Sequence, residues 1–442
     1  MIVLDNSIIF TGLPEIAATL GLSTTGLSWV QNAYTLVFGG LLLLGARAGD
    51  LLGRRQVFIV GLTVFGFASL LVGAAQSEAW IIAARALQGV GAAVVAPASL
   101  ALITATFPAG RERVRAVAAY GTTAGVGASI GLVVGGALAH WLSWRIGFLV
   151  NVPIGALLIL AALRFVPSTR PVRGRFDVIG ALTSTAGMGL LVYGIVESAE
   201  RGWASPTAVV PIGVGLAIVA LFVTNESRAQ QPIMPLRLFS SRVRSGAAIA
   251  RLLFAGTMIA FFFFTTQFLQ GVYGWNPLQA GLAFLPMTVV QFGSSLLVPR
   301  LSSRFGNGRV LVAGLILVLG GMAWMTQLTA GTSYLVGVAM PMVLMGLGQG
   351  LAFGPLTASG ITGARQTDAG AASGVVNTAH QLGSTLGIAV LTAVSADATD
   401  SAARAVDIYV GGVVMLVSAL VAAVLLILPA AAADRRYERS RV

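Results

Sequence analysis

Few residues in this chain can do chemistry, and they stand in apolar surroundings. There is no cysteine, and the two histidines, His140 and His380, lie far apart. Thiol chemistry, disulfides and iron–sulfur clusters are excluded, and a metal centre is not expected. No nucleophile–base constellation or phosphate loop is seen, so an enzyme is not expected. Two charged groups stand out instead. One is the carboxyl of Asp5 in MIVLDNSIIFTGL, and the other is the guanidinium of Arg85 in RALQGVGAA. A charge at lipid depth is expensive and needs a reason. Desolvation favours the neutral form of a carboxyl, so a carboxyl held mid-membrane can exchange a proton near physiological pH. The plain alternative is an interfacial Asp that caps its helix and stays ionised. A guanidinium keeps its charge and favours the deprotonated form of any nearby carboxyl. Its plain alternative is an arginine that snorkels to the surface. The two groups need not touch. Arg251, five residues into another apolar run, is expected to snorkel.

Composition dictates the elements that must carry these groups. Of 442 residues, 56% are hydrophobic and only 10% charged. A soluble chain carries about 25% charged residues. The chain is therefore read as an all-α polytopic membrane protein. Apolar runs bounded by Gly, Pro and charge predict fourteen spans. They lie near 1–20, 27–45, 57–75, 79–106, 116–139, 146–166, 178–198, 206–224, 246–271, 279–299, 310–328, 332–356, 370–395 and 405–428. The first is short: the run before Pro14, about 13 residues, covers roughly 20 Å of a hydrocarbon core of about 30 Å. Only Met1 to Leu4 precede Asp5. The chain as given is thus expected to lack the cytoplasmic part of this span, and Asp5 would otherwise lie near the cytoplasmic interface.

The formal net charge is +12, and every basic residue is arginine. All but five of the 27 arginines fall in alternate connections between spans or in the tail. Arg145, Arg201 and Arg404 fall on the other side, and Arg85 and Arg251 lie within spans. This distribution argues against a nucleic-acid surface. By the positive-inside rule the rich side is cytoplasmic, and an even number of spans places both termini there. The first apolar run lacks a basic n-region and leads straight into further spans, so no cleavable signal is read.

The chain repeats itself weakly. GRRQVFIVG (53–61) resembles GNGRVLVAG (306–314), LQGVGAA (87–93) resembles LMGLGQG (344–350), and GASIG (127–131) resembles GSTLG (383–387). The offsets are 253, 257 and 256. Nearly one offset implies two parallel six-span halves, with two spans inserted between them. The expected domains are 1–177, the insert 178–245, the second half 246–429 and a basic tail 430–442. Two parallel halves enclosing a midplane site are the architecture of one large class of secondary transporter.

With these residues in view, the chain resembles the fourteen-span drug:proton antiporter branch of the major facilitator superfamily, from Val3 to about Leu428. LDNSIIFTGLP is similar to the branch signature of the first span, and RALQGVGAA to the superfamily's Arg-bearing motif. The resemblance implies proton-coupling roles for Asp5 and Arg85. Arg85, Gly89, Ala93 and Pro97 are spaced by four and share a helix face, and the small residues permit close helix approach. GARAGDLLGRRQVF is similar to the loop motif that latches the two halves, which implies latch roles for Asp50, Gly53, Arg54 and Arg55. Here Ala48 replaces the usual Leu, and Ser303 replaces Asp50 in the second copy. GVGASIGLVVGGALA resembles the motif associated with exporters, with Gly127, Gly131, Gly135 and Gly136 as a packing stripe. Leu132 stands where that motif has proline, so a kink is not expected.

A substrate cavity is expected to use Trp29, Gln31 and Tyr34 of the second span, Gln267 and Gln270 of the ninth, and Asn377, His380 and Gln381 of the thirteenth. Polar groups at lipid depth face a cavity or another helix, and interhelical hydrogen bonding is the equal alternative for each. Amides among aromatics suit apolar or weakly cationic organic molecules. The leading expectation is a monomeric, proton-coupled exporter of small amphipathic compounds in the plasma membrane. It would work with a small-molecule substrate and protons in a lipid bilayer, without a cofactor. The missing proline leaves an importer or facilitator of one metabolite open. A non-transporting receptor or partner subunit is the third reading.

Overall fold

The computed structural model describes residues 1–107, 112, 116, 127, 130–166, 177–229, 232–364, 368–398 and 400–429. The side chain of Asp50 and the predicted tail 430–442 lie outside the described residues. The chain order is α1 (Ile2–Leu20), α2 (Thr24–Leu52), α3 (Arg54–Gly73), α4 (Glu78–Thr106), α5 (Ile130–Trp141), α6 (Trp144–Leu149) and α7 (Asn151–Phe165). Then come α8 (Val178–Arg201), α9 (Pro206–Arg228), a short 3-10 turn (Leu236–Ser240), α10 (Arg242–Gly271), α11 (Pro277–Leu282), α12 (Leu285–Ser295) and α13 (Val298–Phe305). Last are α14 (Asn307–Met325), α15 (Met340–Ile361), α16 (Ala369–Val394) and α17 (Ser401–Ala422). No strand occurs among the described residues. Lipid explains this: with no water for backbone groups, a span must satisfy its N–H and C=O groups within itself.

Ends are marked by polar side chains that take up the orphan N–H groups of the first turn. Ser23 accepts from Gly26, Ser77 from Trp80, Asp177 from Gly180, and Asp400 from Ala402 and Ala403. Ten described helices are long and apolar enough to cross a membrane, and the bent set α11–α13 makes an eleventh. Three further predicted spans also appear as helices: α1, α16 and the described part of the fifth, α5.

One predicted span is met as drawn, and two expectations are corrected. The first span, expected near 1–20, contains Pro14. The helix runs through it to Gly21, whose left-handed backbone (φ 65°) lets its N–H close on Ala17. Its 19 residues cover about 28 Å. The predicted span 279–299 is not one rod. It breaks at 283–284 and again at 296–297, where it bends by 51° just before Pro299. Arg251 does not snorkel. α10 begins at Arg242, so Arg251 stands nine residues inside the helix, and it is buried.

The described chain divides into two compact units, one of Met1–Ile233 with Gly274–Leu282 and one of Met234–Tyr273 with Ala283–Val442. In the N-terminal unit the inserted helix α8 packs on α2, and α9 packs on α8. Gly40 faces Thr185, Gly189 faces Leu36, and the rings of Trp29 and Tyr193 lie 6.3 Å apart. The two units repeat one packing scheme. A methyl added at Gly89 would meet the Tyr34 carbonyl on α2, and one at Gly346 would meet the Met287 carbonyl on α12. Gly91 closes on Phe65 of α3, and Gly348 on Gly314 of α14. Gly131 closes on Ser7 of α1, and Gly387 on Gly256 of α10. At each pair of matched positions, a glycine admits the matched neighbouring helix.

Candidate functional site

Asp5 and Arg85 meet. Arg85 Nη1 lies 2.9 Å from Asp5 Oδ2, with both side chains buried. Gln88 Nε2 donates to Asp5 Oδ1 at 2.9 Å, and Asn151 Nδ2 donates to the same oxygen at 2.6 Å. Three side chains from α4 and α7 thus hold one carboxylate on α1. Arg85 is fully engaged: Nε donates to the Val30 carbonyl (3.0 Å), Nη1 also to Gln88 Oε1 (2.6 Å), and Nη2 to Gln31 Oε1 (3.4 Å). Gln31 donates in turn to Asn6 Oδ1 at 2.8 Å, and Gln88 to Ser69 Oγ at 2.9 Å. The guanidinium lies 4.2 Å over the Tyr34 ring and 5.6 Å from the Phe148 ring. Six helices, α1 to α4, α6 and α7, therefore converge on one ion pair.

The position of Asp5 along the bundle follows from its partners. Arg85 is seven residues from the start of α4, and Gln31 seven from the start of α2, about 10 Å in each case. These starts lie on the side where α1 ends, since only Gly21 to Ser23 separate α1 from α2. Asp5 is level with them, not with the N-terminal mouth of the unit.

α1 is held there by the glycine stripe of the fifth span. A methyl at Gly131 would lie 2.6 Å from Ser7 Cβ and 2.9 Å from the Leu4 carbonyl, and one at Gly135 2.6 Å from Ile8 Cα. Gly127 has room, with Val3 Cβ at 4.0 Å, and Gly136 lies against Pro277. At the loop between α2 and α3, Gly53 adopts φ 97°. Arg54 then donates to the Ala101 carbonyl of α4 (3.1 Å), and Arg55 to the Leu163 carbonyl of α7 (2.7 Å). In the second copy Ser303 turns back to the Arg300 carbonyl at 2.8 Å. In the C-terminal unit, Asp368 pairs with Arg237 through two hydrogen bonds of 2.8 and 3.1 Å. These bonds, and then the carboxylate's charge, raise the exposed Arg237 guanidinium above its ordinary pKa.

The cavity residues are placed unevenly. Gln31 and Tyr34 belong to the ion-pair network, and Trp29 packs on α8. Gln267 donates to the Phe263 carbonyl of its own helix, and Gln270 is half-buried. Asn377 is exposed, while His380 and Gln381 are half-buried. Of the phenylalanine run, Phe261, Phe263 and Phe264 are buried in the core of the C-terminal unit. Sequence reasoning missed Asn6, Ser69, Gln88 and Asn151. Gln88 had a visible signal, one turn from Arg85 on the same helix. Asn151 had a weaker one, as a lone amide in the apolar run FLVNVPIG.

The arrangement is a membrane-embedded helical bundle built around a sealed ion pair, with an internal repeat: the geometry of a secondary transporter. The family model for the Major Facilitator Superfamily matches residues 1–388. The chain is 38% identical over 434 residues to the cephamycin export protein CmcT of Amycolatopsis lactamdurans, covering 97% of this chain and 89% of that one. It is 40% identical over 404 residues to the puromycin resistance protein pur8 of Streptomyces alboniger, covering 90% and 80%. Among solved structures, the nucleoside transporter NupG superposes with a TM-score of 0.67 at 13% identity, over 96% of each chain. The chain belongs to the Major Facilitator Superfamily, a family of multi-pass membrane transporters rather than enzymes.

Proposed function

We propose that this chain is a proton-coupled exporter of small amphipathic organic compounds, antibiotics among them, acting by alternating access. The observation that carries the reading is the buried Asp5–Arg85 pair, supported by relatives whose names record antibiotic export and resistance. A proton on Asp5 removes the charge that holds Arg85. The network must then rearrange, because a guanidinium without its partner is costly in a dry core, by about 3–5 kcal/mol for a broken buried pair. Protonation thereby biases one conformation and substrate biases the other, and each does work only through its differential affinity for the two states. We place the protein in the plasma membrane with both termini cytoplasmic, from its arginine distribution, and propose that it acts as a monomer. Everted membrane vesicles test the coupling. Drug uptake driven by an imposed proton gradient should vanish with Asp5→Asn and with an uncoupler. Uptake that survives either would refute proton coupling, and a C-terminal tag digested by protease in right-side-out vesicles would refute the orientation.

A further inference from the structure

The C-terminal unit contains a second buried arginine, and this one has no ion-pair partner among the described residues. Arg251 on α10 is 2% exposed. Its guanidinium lies 3.9 Å over the ring of Phe353 on α15, and that ring meets His380 of α16 edge-on at 6.1 Å. Arg251 Nε and Nη1 are buried without a hydrogen-bond partner, as is His380 Nδ1. Among the described residues no carboxylate lies within ion-pair distance of Arg251, and Asp368 of the same unit is taken by Arg237. The contrast with Arg85 is plain, since every nitrogen of that guanidinium has an acceptor.

A buried guanidinium needs an anion, and a native structure that withholds one calls for an explanation. The aromatic face offsets part of the burial cost but accepts no hydrogen bond from the free N–H groups. Unengaged guanidinium donors, a ring face and an imidazole nitrogen together match a planar anionic group borne on an aromatic or apolar body. Arginine is the side chain best suited to a carboxylate, because its planar donors meet both oxygens.

We propose that Arg251, with Phe353 and His380, binds the carboxylate of an amphipathic organic acid, and so extends the substrate class to anionic compounds. The word substrate rests on the export reading above; the binding site does not. The test uses the purified full chain in lipid nanodiscs with two dyes, rhodamine B and its ethyl ester, which differ only at one carboxyl. Binding is read by fluorescence polarisation. Wild type should hold the acid tighter by about tenfold or more, the range of a charge-assisted hydrogen bond. Arg251→Gln should bring the two dyes to equal affinity, and Arg251→Lys should keep part of the preference. A second measurement needs no variant: excess benzoate should displace rhodamine B from wild type and leave the ester bound. Equal binding of the dyes by wild type, a preference that persists in Arg251→Gln, or benzoate without effect would each overturn the proposal. Efflux from proteoliposomes is read separately. Loss of efflux with the dye preference intact would count against export and leave the anion site standing.

Discussion

Asp5 is buried, so its ionised form depends on donors supplied by the protein. Asn151 gives the shortest of them, and its loss leaves Oδ1 with Gln88 alone. We expect Asn151→Leu to lower stability by about 1–3 kcal/mol, the cost of a buried acceptor losing a donor. Thermal unfolding in detergent measures this, and an unchanged midpoint would remove Asn151 from the network. Drug efflux in the same variant should fall less than in Asp5→Asn, because Arg85 still pairs with the carboxylate. The two charges were legible in the sequence because a charge in an apolar run is expensive and stands out, even where a plain alternative exists. The amides were not, because an Asn or Gln in a span reads the same whether it faces a charge, a carbonyl or a cavity. Only the convergence of α1, α4 and α7 gives Asn151 its meaning. Arg251 was visible but misread, since its depth depends on where α10 begins, and arginines at Arg242 and Arg244 extend that helix beyond the apolar run.

At the scale of elements, apolar length was enough to locate fourteen helical segments but not their breaks and ends. Pro14 lies inside the predicted span 1–20, because in a membrane helix a missing N–H is tolerated when neighbours pack around the site. Pro299 sits at a real break, and nothing local in the sequence distinguishes the two prolines. The glycine stripe of α5 was legible as a stripe, but its target was not. The structure shows that Gly131 and Gly135 press on the backbone of α1 at Leu4 and Ile8, on either side of Asp5, while Gly127 has space. This yields a paired expectation. Gly131→Ala should destabilise by about 1–3 kcal/mol through overpacking, whereas Gly127→Ala should be neutral. Melting curves of both variants decide the matter. Equal losses would mean that α1 is not clamped at Gly131, and the placement of Asp5 opposite Arg85 would then need another cause. Wild-type stability with lost efflux in Gly131→Ala would show instead that the stripe serves motion more than folding.

At the scale of the whole molecule, the internal repeat is a repeat of packing more than of sequence. Matched glycines in the two units admit matched neighbouring helices, whereas the charged residues differ: the first unit spends its buried arginine on Asp5, and the second leaves Arg251 open. Folding demands the same close approaches in both units, while the proposed proton exchange and ligand binding need only one site each. The connection between the second and third helices of each unit tests this division. Gly53 and Gly306 correspond by the repeat, and both hold positive φ, 97° and 86°, with ψ of 122° and 150°. An L side chain is strained there by about 1–3 kcal/mol. Gly53→Ala and Gly306→Ala should therefore destabilise alike, although Asp50 accompanies the first and Ser303 the second. The two positions belong to different units, and independent sites predict that the double variant loses the sum of the single losses. Thermal unfolding of the three variants measures it. If Gly306→Ala melts with wild type while Gly53→Ala does not, the turn is kept in the first unit for the latch alone, and the repeat is not a shared folding requirement.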